Sequence, residues 1–386
     1  MELSNSNLKA LSNYFLGRQQ EIVAFARALV EAESPSGDEA GSKAVVSLLA
    51  TAAEKVEGVT VEMLPSENYG EHLLIKAFAA SRKSKPIMVL GHTDTVHPRG
   101  STKQRPWRVE AGKAYGPGVF DMKANCALAI EVIRAFAETG LKPQRPLVFL
   151  FTCDEETGSL TGRLLVEAEA RRAQAVLVLE PPAIGGRVKT GRKGTGIFTI
   201  EARGRAAHAG LEPEKGASAI LELARQTERL HALNGSSGGI TVNVGVFSGG
   251  TLSNVVPAEA RAEIDVRFNT AEEAARIENE IRNLRSFDER VELLVKGGIN
   301  RPPMERTEKV LDLYDKARAI AHELGFELGE TQVGGASDGN FVGAVGAAVL
   351  DGLGIDGDGA HAVHEHIVID DIPRRGPLIA GLIASL

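Results

Sequence analysis

Three short, continuous apolar runs rich in β-branched residues stand out along the chain: Pro86 to Leu90, Leu147 to Phe151 and Ala175 to Leu179. Runs of this length between polar residues predict strands buried on both faces. Apolar positions at helical spacing fill the intervals, from Lys123 to Glu138 and from Leu160 to Ala170. Strand alternating with helix predicts an α/β sheet, mixed but mostly parallel, with flanking helices. Upstream, Leu11, Phe15, Ile22, Ala26 and Leu29 predict one helix from about Leu8 to Glu31, which Ser34-Pro-Ser-Gly-Asp ends. A second helix is expected from Glu39 to Lys55, then strands at Val59 to Met63 and His72 to Phe78.

After Glu180 the pattern changes. The stretch from Gly185 to Gly196 is Gly-rich and basic, a composition that suits a hinge. Next come strand (Gly196 to Arg203), helix (Ala217 to Leu233), strand (Gly239 to Ser248), strand (Glu259 to Phe268), helix (Ala271 to Leu284) and strand (Arg290 to Lys296). That order is β-α-β-β-α-β, the ferredoxin-like pattern. It predicts an inserted domain at 191–298, with a first domain formed by 1–190 and 299–386. The first domain resumes with a helix from Lys309 to Leu324, a turn at Gly334 to Phe341 and a short strand at Ala347 to Leu350. A Gly/Asp/His-rich loop follows, and a helix runs from Asp370 to Leu386.

Composition narrows the function classes. The 386 residues are 43% hydrophobic and 25% charged, an ordinary globular balance with room for two domains. The net charge is −7 and no basic tract is present, which argues against nucleic acid or an anionic membrane surface as partner. No apolar run is long enough to span a bilayer, and the first residues lack the pattern of a secretory signal. Two cysteines, Cys126 and Cys153, suit a reduced, cytoplasmic protein.

Each buried run ends in histidine or carboxylate: His92 and Asp94 after the first, Glu155 and Glu156 after the second, Glu180 after the third. Ligands of an open parallel sheet collect outside the carboxyl ends of its strands. So much acid on a buried rim is costly without a cation, which points to a metal site. His-x-Asp alone is more often a hydrogen-bonded loop pair. Asp121 alone reads as a helix N-cap, and the Glu pair alone as acid at a helix N-terminus. The loop from Asp356 to His366 adds His361, His364 and His366. Two nitrogen ligands with three or four carboxylates suit a pair of zinc ions.

In order along one chain, these motifs resemble the co-catalytic dizinc peptidases and aminoacylases. The resemblance runs through His-Thr-Asp-Thr-Val at His92, Lys113-Ala-Tyr-Gly-Pro-Gly, Asp154-Glu-Glu, Leu179-Glu-Pro, Ala207-His-Ala-Gly, Ser253-Asn-Val-Val-Pro-Ala and Asp265-Val-Arg. It is closest to the folate-hydrolysing glutamate carboxypeptidase branch of that family, and departs from the family at Ala124, where glycine is usual.

The resemblance implies two Zn2+ per subunit, with Co2+ or Mn2+ as substitutes. His92 and Glu180 would bind one ion, Glu156 and His361 the other, and Asp121 both. Asp94 would support His92, and Glu155 would be the general base. His364 competes with His361 for the last ligand position. His208 would stabilise the developing oxyanion, often from the partner subunit of a homodimer, so the insert is expected to serve as lid and dimerisation surface. Asn254 and Arg267 would hold the substrate, with Lys189 and Arg301 as weaker candidates for a second carboxylate. The implied activity is amide hydrolysis beside an amino acid with a free carboxylate, glutamate first. N-acyl-amino-acid deacylation and dipeptide cleavage are the alternatives, and a binding protein with degenerate metal sites is the rival class.

Overall fold

The three apolar runs become adjacent strands of one six-stranded sheet. The computed structural model describes residues 4–78, 84–234 and 239–386; residues 1–3, the head of the stretch read for a secretory signal, lie outside them. The sheet order is Thr60–Ser66, Gly70–Ala77, Leu147–Thr152, Ile87–His92, Ala175–Val178, Val349–Leu350. The last four strands are mutually parallel, and the first two form an antiparallel hairpin on Leu147–Thr152. Every residue of the three parallel strands nearest the centre is buried. This explains their unbroken apolar runs: helices cover both faces of a parallel sheet.

Two compact units divide the chain. The first comprises 1–191, 306–333 and 337–386, and the second comprises 192–305 with 334–336. In the first unit the expected long N-terminal helix is two helices, Asn5–Gly17 and Gln19–Glu31. Arg18 interrupts them at φ −102°, ψ 5°. Its Nε donates to the buried Glu131 carboxylate at 2.9 Å, after a glycine that weakens the helix end. The helix Ile372–Ser385 packs into the same core, close enough that a Cβ on Gly376 would meet the Phe15 ring at 2.3 Å.

The Gly-rich stretch read as a hinge is largely strand. Val188–Arg192 is wholly buried and pairs with Glu330–Val333, and Gly194–Arg203 follows it. Its glycines allow close packing: a Cβ on Gly191 would lie 2.9 Å from the Gln332 side chain, and one on Gly194 would lie 2.1 Å from the Phe268 ring.

The second unit is a four-stranded antiparallel sheet in the order Thr241–Gly249, Glu259–Phe268, Gly194–Arg203, Glu292–Arg301. The last strand runs on to Arg301, beyond its expected end at Lys296. The helices Ala219–His231 and Ala271–Arg282 pack on one face, each capped by a hydroxyl, from Ser218 and Thr270. Burial alternates along Glu259–Phe268, as it must when one face meets helices and the other meets water.

Between Asp94 and Tyr115 a plain surface loop is expected. Instead, Arg108–Glu110 and Lys113–Tyr115 join His366–Val368 and Gly357–Asp358 in a small antiparallel sheet. This sheet brings the late His-rich loop against the turn that carries Asp121.

Candidate metal centre

His92 ends the Ile87–His92 strand and is buried. Its Nδ1 lies 3.0 Å from the backbone carbonyl of Asp94, which can only accept, so Nδ1 carries a proton. Nε2 then faces Asp121 Oδ1 at 3.1 Å and Glu180 Oε1 at 3.5 Å. A metal-ligating histidine is held this way, with one nitrogen fixed by an acceptor and the other turned to the ion.

The expected partner of His92 is the Asp94 carboxylate. That carboxylate is 3.4 Å from Nδ1, the longer contact. It accepts instead from Ser36 Oγ at 2.6 Å and from the backbone N–H groups of Glu155 and Glu156, both at 3.1 Å. Two consecutive free amides open the short helical turn Glu155–Thr157, and Asp94 satisfies them. Asp94 thus fixes the acidic pair as well as flanking His92.

Asp121 is no N-cap for the helix Ala124–Thr139. It stands in a turn at φ −117°, ψ 91°, before a cis peptide to Met122. Its two oxygens face different histidines: Oδ1 faces His92, and Oδ2 faces His361 Nε2 at 3.5 Å. The same His361 nitrogen lies 3.1 Å from Glu156 Oε2. Two triads result, His92–Asp121–Glu180 and Asp121–Glu156–His361, with the donor atoms of each within 4.8 Å of one another. Glu155 belongs to neither triad. Of the three late histidines, His361 reaches the carboxylates, while the His366 ring tilts against Tyr115, centroids 5.0 Å apart.

The electrostatics call for positive charge. Burial opposes a charge on His92, yet Asp121, Asp94 and Glu180 hold its imidazolium pKa well above the usual range. Hydrogen bonds to Asp121 and Glu156 raise His361 to about 10. Burial works against the Asp121 carboxylate, but His361 and His92 hold it well below its usual range, while burial pushes Glu156 up. Glu156 Oε1 is buried with no hydrogen-bond partner. A divalent ion would give that oxygen a partner and take the place of both histidine protons. The donor set, imidazole and carboxylate, fits such an ion.

Burial raises both thiols, Cys126 and Cys153, to about 12, so neither offers a thiolate at neutral pH.

In the second unit, His208 Nδ1 accepts from the N–H groups of Gly210 and Leu211 at 3.1 and 3.2 Å. The proton is left on Nε2 of this exposed residue. Asn254 is its neighbour, and its carbonyl accepts from Ala209 N at 2.9 Å. The fork of Arg267 is already engaged: Nε and Nη2 each lie 2.8 Å from an Asp265 oxygen. A substrate carboxylate would have to displace Asp265. Arg301 is buried at the end of its strand, and Lys189 is buried in the first unit beside Asp351.

Sequence reasoning assigns no role to Ser36 or His97, and takes Glu365 only as the acid that follows Gly359-Ala-His361 in the family's pattern; all three support the site. Their partners are distant in sequence, so the contacts themselves leave no local signal.

A profile of the family described as Peptidase family M20/M25/M40 matches residues 88–385. The chain is 31% identical to carboxypeptidase G2 from Pseudomonas sp. (strain RS-16), over 95% of this chain and 90% of the relative. It is 29% identical to succinyl-diaminopimelate desuccinylase from Methylobacterium sp. (strain 4-46), over 91% of this chain and 92% of that one. Among solved structures, aminopeptidase PepT from Bacillus cereus ATCC 10987 superposes with TM-score 0.78 at 22% identity, covering 95% of this chain and 98% of the other. That likeness shows the α/β fold.

Proposed function

Because the chain belongs to peptidase family M20/M25/M40, a metal-dependent family, we propose that it is a metallo-carboxypeptidase of amidohydrolase type. It cleaves an amide bond beside an amino acid with a free carboxylate, a C-terminal glutamate first. The carrying observation is the pair of triads that share Asp121, with Glu155 outside both.

His92 and Glu180 would hold one zinc ion, Glu156 and His361 a second, and Asp121 both; cobalt or manganese are the proposed substitutes. Ions held by these residues would lower the pKa of water and polarise a carbonyl. Glu155 takes the proton from the attacking water and returns it to the departing nitrogen. Asp94 holds the Glu155 and Glu156 amides, which keeps the base and its neighbour in register. His208 supplies its Nε2–H to the developing oxyanion, a role supported by its fixed tautomer and worth roughly 3 to 4 kcal/mol for such a donor. Asn254, Lys189 and Arg301 are the proposed substrate contacts. Arg267 joins them only if its bond to Asp265 opens.

The second unit is proposed to be a ferredoxin-like lid and dimerisation domain, supported by its β-α-β-β-α-β order and antiparallel sheet. A cytoplasmic homodimer completes the reading. Among the described residues no helix is long and apolar enough to cross a membrane. The desuccinylase likeness favours deacylation of an N-acyl amino acid as the second reading.

Hydrolysis of N-acyl glutamates, N-succinyl amino acids and dipeptides by wild type and Glu155→Ala tests the proposal. The variant should keep its zinc and lose about 10²–10⁴-fold in kcat. Undiminished turnover in the variant, or no hydrolysis by wild type, refutes it.

A further inference from the structure

Glu365 lies four residues beyond His361 and is buried. Its two carboxylate oxygens accept four N–H donors. Oε1 takes the backbone amides of Phe120 at 2.9 Å and Asp121 at 3.0 Å, and Oε2 takes Gly118 N at 2.8 Å and His97 Nε2 at 2.5 Å. The direction of the His97 bond is fixed from behind. Arg105 Nη2 lies 3.3 Å from His97 Nδ1, and a guanidinium only donates, so Nδ1 accepts and Nε2 carries the proton.

The turn from Gly118 to Asp121 leaves helical geometry at Asp121 and Met122, and main-chain bonds close it from Val119 N to Gly116 O at 3.2 Å and from Lys123 N to Gly118 O at 2.9 Å. Three of its amides are held by this one side chain. The other end of the contact is equally constrained. Gly359 stands at φ +82°, where a Cβ would meet the Glu365 Cα at 2.9 Å, so the loop between them closes tightly around His361. One carboxylate therefore ties the segment that presents Asp121 to the segment that presents His361. Asp121 is the residue common to both triads.

We propose that Glu365, oriented by His97, is a positioning residue that sets the Asp121 backbone and so preorganises both triads for metal. Its carboxylate meets the Asp121 main chain, so it acts through the Asp121 backbone. The inference rests on the metal reading above. Outer-shell partners of this kind typically govern metal affinity by about 10–100-fold.

Glu365→Gln is nearly isosteric, but its amide presents N–H where an N–H must be accepted. His97→Gln leaves the three backbone bonds intact and removes the fourth donor's aim. Zinc affinity is read by competition with a chromophoric chelator, next to thermal unfolding of the metal-free forms. The expected result is a loss of about 100-fold for Glu365→Gln and about tenfold for His97→Gln, with Glu365→Asp between wild type and Glu365→Gln. KM should change less than kcat, since no substrate contact is removed. Should Glu365→Gln fail to fold, the His97→Gln arm decides alone. Wild-type zinc affinity in a folded variant, or a loss of thermal stability without a loss of affinity, overturns the proposal and leaves the metal reading intact. A wild-type protein that takes up no zinc overturns both.

Discussion

The two triads share Asp121 and otherwise differ in almost every respect. The first is assembled from strand ends: His92 closes one central strand, and Glu180 stands two residues past another. Its histidine is 1% exposed and locked by a backbone carbonyl. The second is assembled from turns. Glu156 lies in a single helical turn, and His361 sits at φ +64° in a loop with its side chain 54% exposed. A main-chain ladder holds His92, the Asp94 carboxylate holds the turn of Glu156, and Glu365 contacts the Asp121 turn that both triads share. A site built on sheet ends should keep its ion longer than a site built on loops, because opening it requires breaking the core.

The largest effect should come from removing what the triads have in common. Asp121→Asn should leave neither ion tightly held and lower kcat/KM by ~10³-fold or more, several kcal/mol of lost stabilisation. Metal content and activity measured together check this. A variant that still holds two ions would break the idea of a shared ligand.

His361→Ala sharpens the contrast further. It should release one ion and keep the other, and in wild type a chelator should strip the two in distinct phases, the second phase at least tenfold slower. Metal analysis across a chelation time course decides between this and a single phase, which would make the sites equivalent.

Protons give the smallest signal. Without metal, His92 is raised well above its usual value and His361 to about 10, so both are charged at pH 7. A group raised in the folded state stabilises it fully below its unfolded value, about 6.5, and loses that contribution as pH rises through the folded value. The metal-free protein should therefore lose stability toward pH 10, while zinc affinity rises over the same range because fewer protons must leave. Zinc titration calorimetry at pH 7 in buffers of different ionisation enthalpy should count one to two protons released. No release would contradict the charge state of both histidines.

The same division explains what was legible in the sequence. His92, Glu155, Glu156 and Glu180 could be grouped because buried parallel strands announce themselves as apolar runs and ligands gather at their carboxyl ends. Asp121 and His361 entered through resemblance. Nothing local in Gly-Pro-Gly-Val-Phe-Asp dictates the turn that Glu365 holds from far along the chain. The small sheet that joins them, Arg108–Glu110 to His366–Val368, uses strands of two and three residues, too short for any period to register. The stretch from Gly185 misled for a different reason. Glycine is required there for close approach to Gln332 and Phe268, and composition alone cannot separate that need from flexibility. The resemblance implies that Arg267 holds the substrate, whereas its fork meets Asp265, two residues away on the same strand face, a contact that no motif marks.

Asp121 turns one oxygen to each histidine. On the proposed reading, occupancy of either place would alter the charge and aim of a carboxylate that the other place also uses. By thermodynamic reciprocity, whatever factor the first occupant imposes on the affinity of the second, the second imposes equally on the first. Two ions bound as proposed would be coupled through that one carboxylate, and a binding constant for one place would have meaning only with the filling of its neighbour stated.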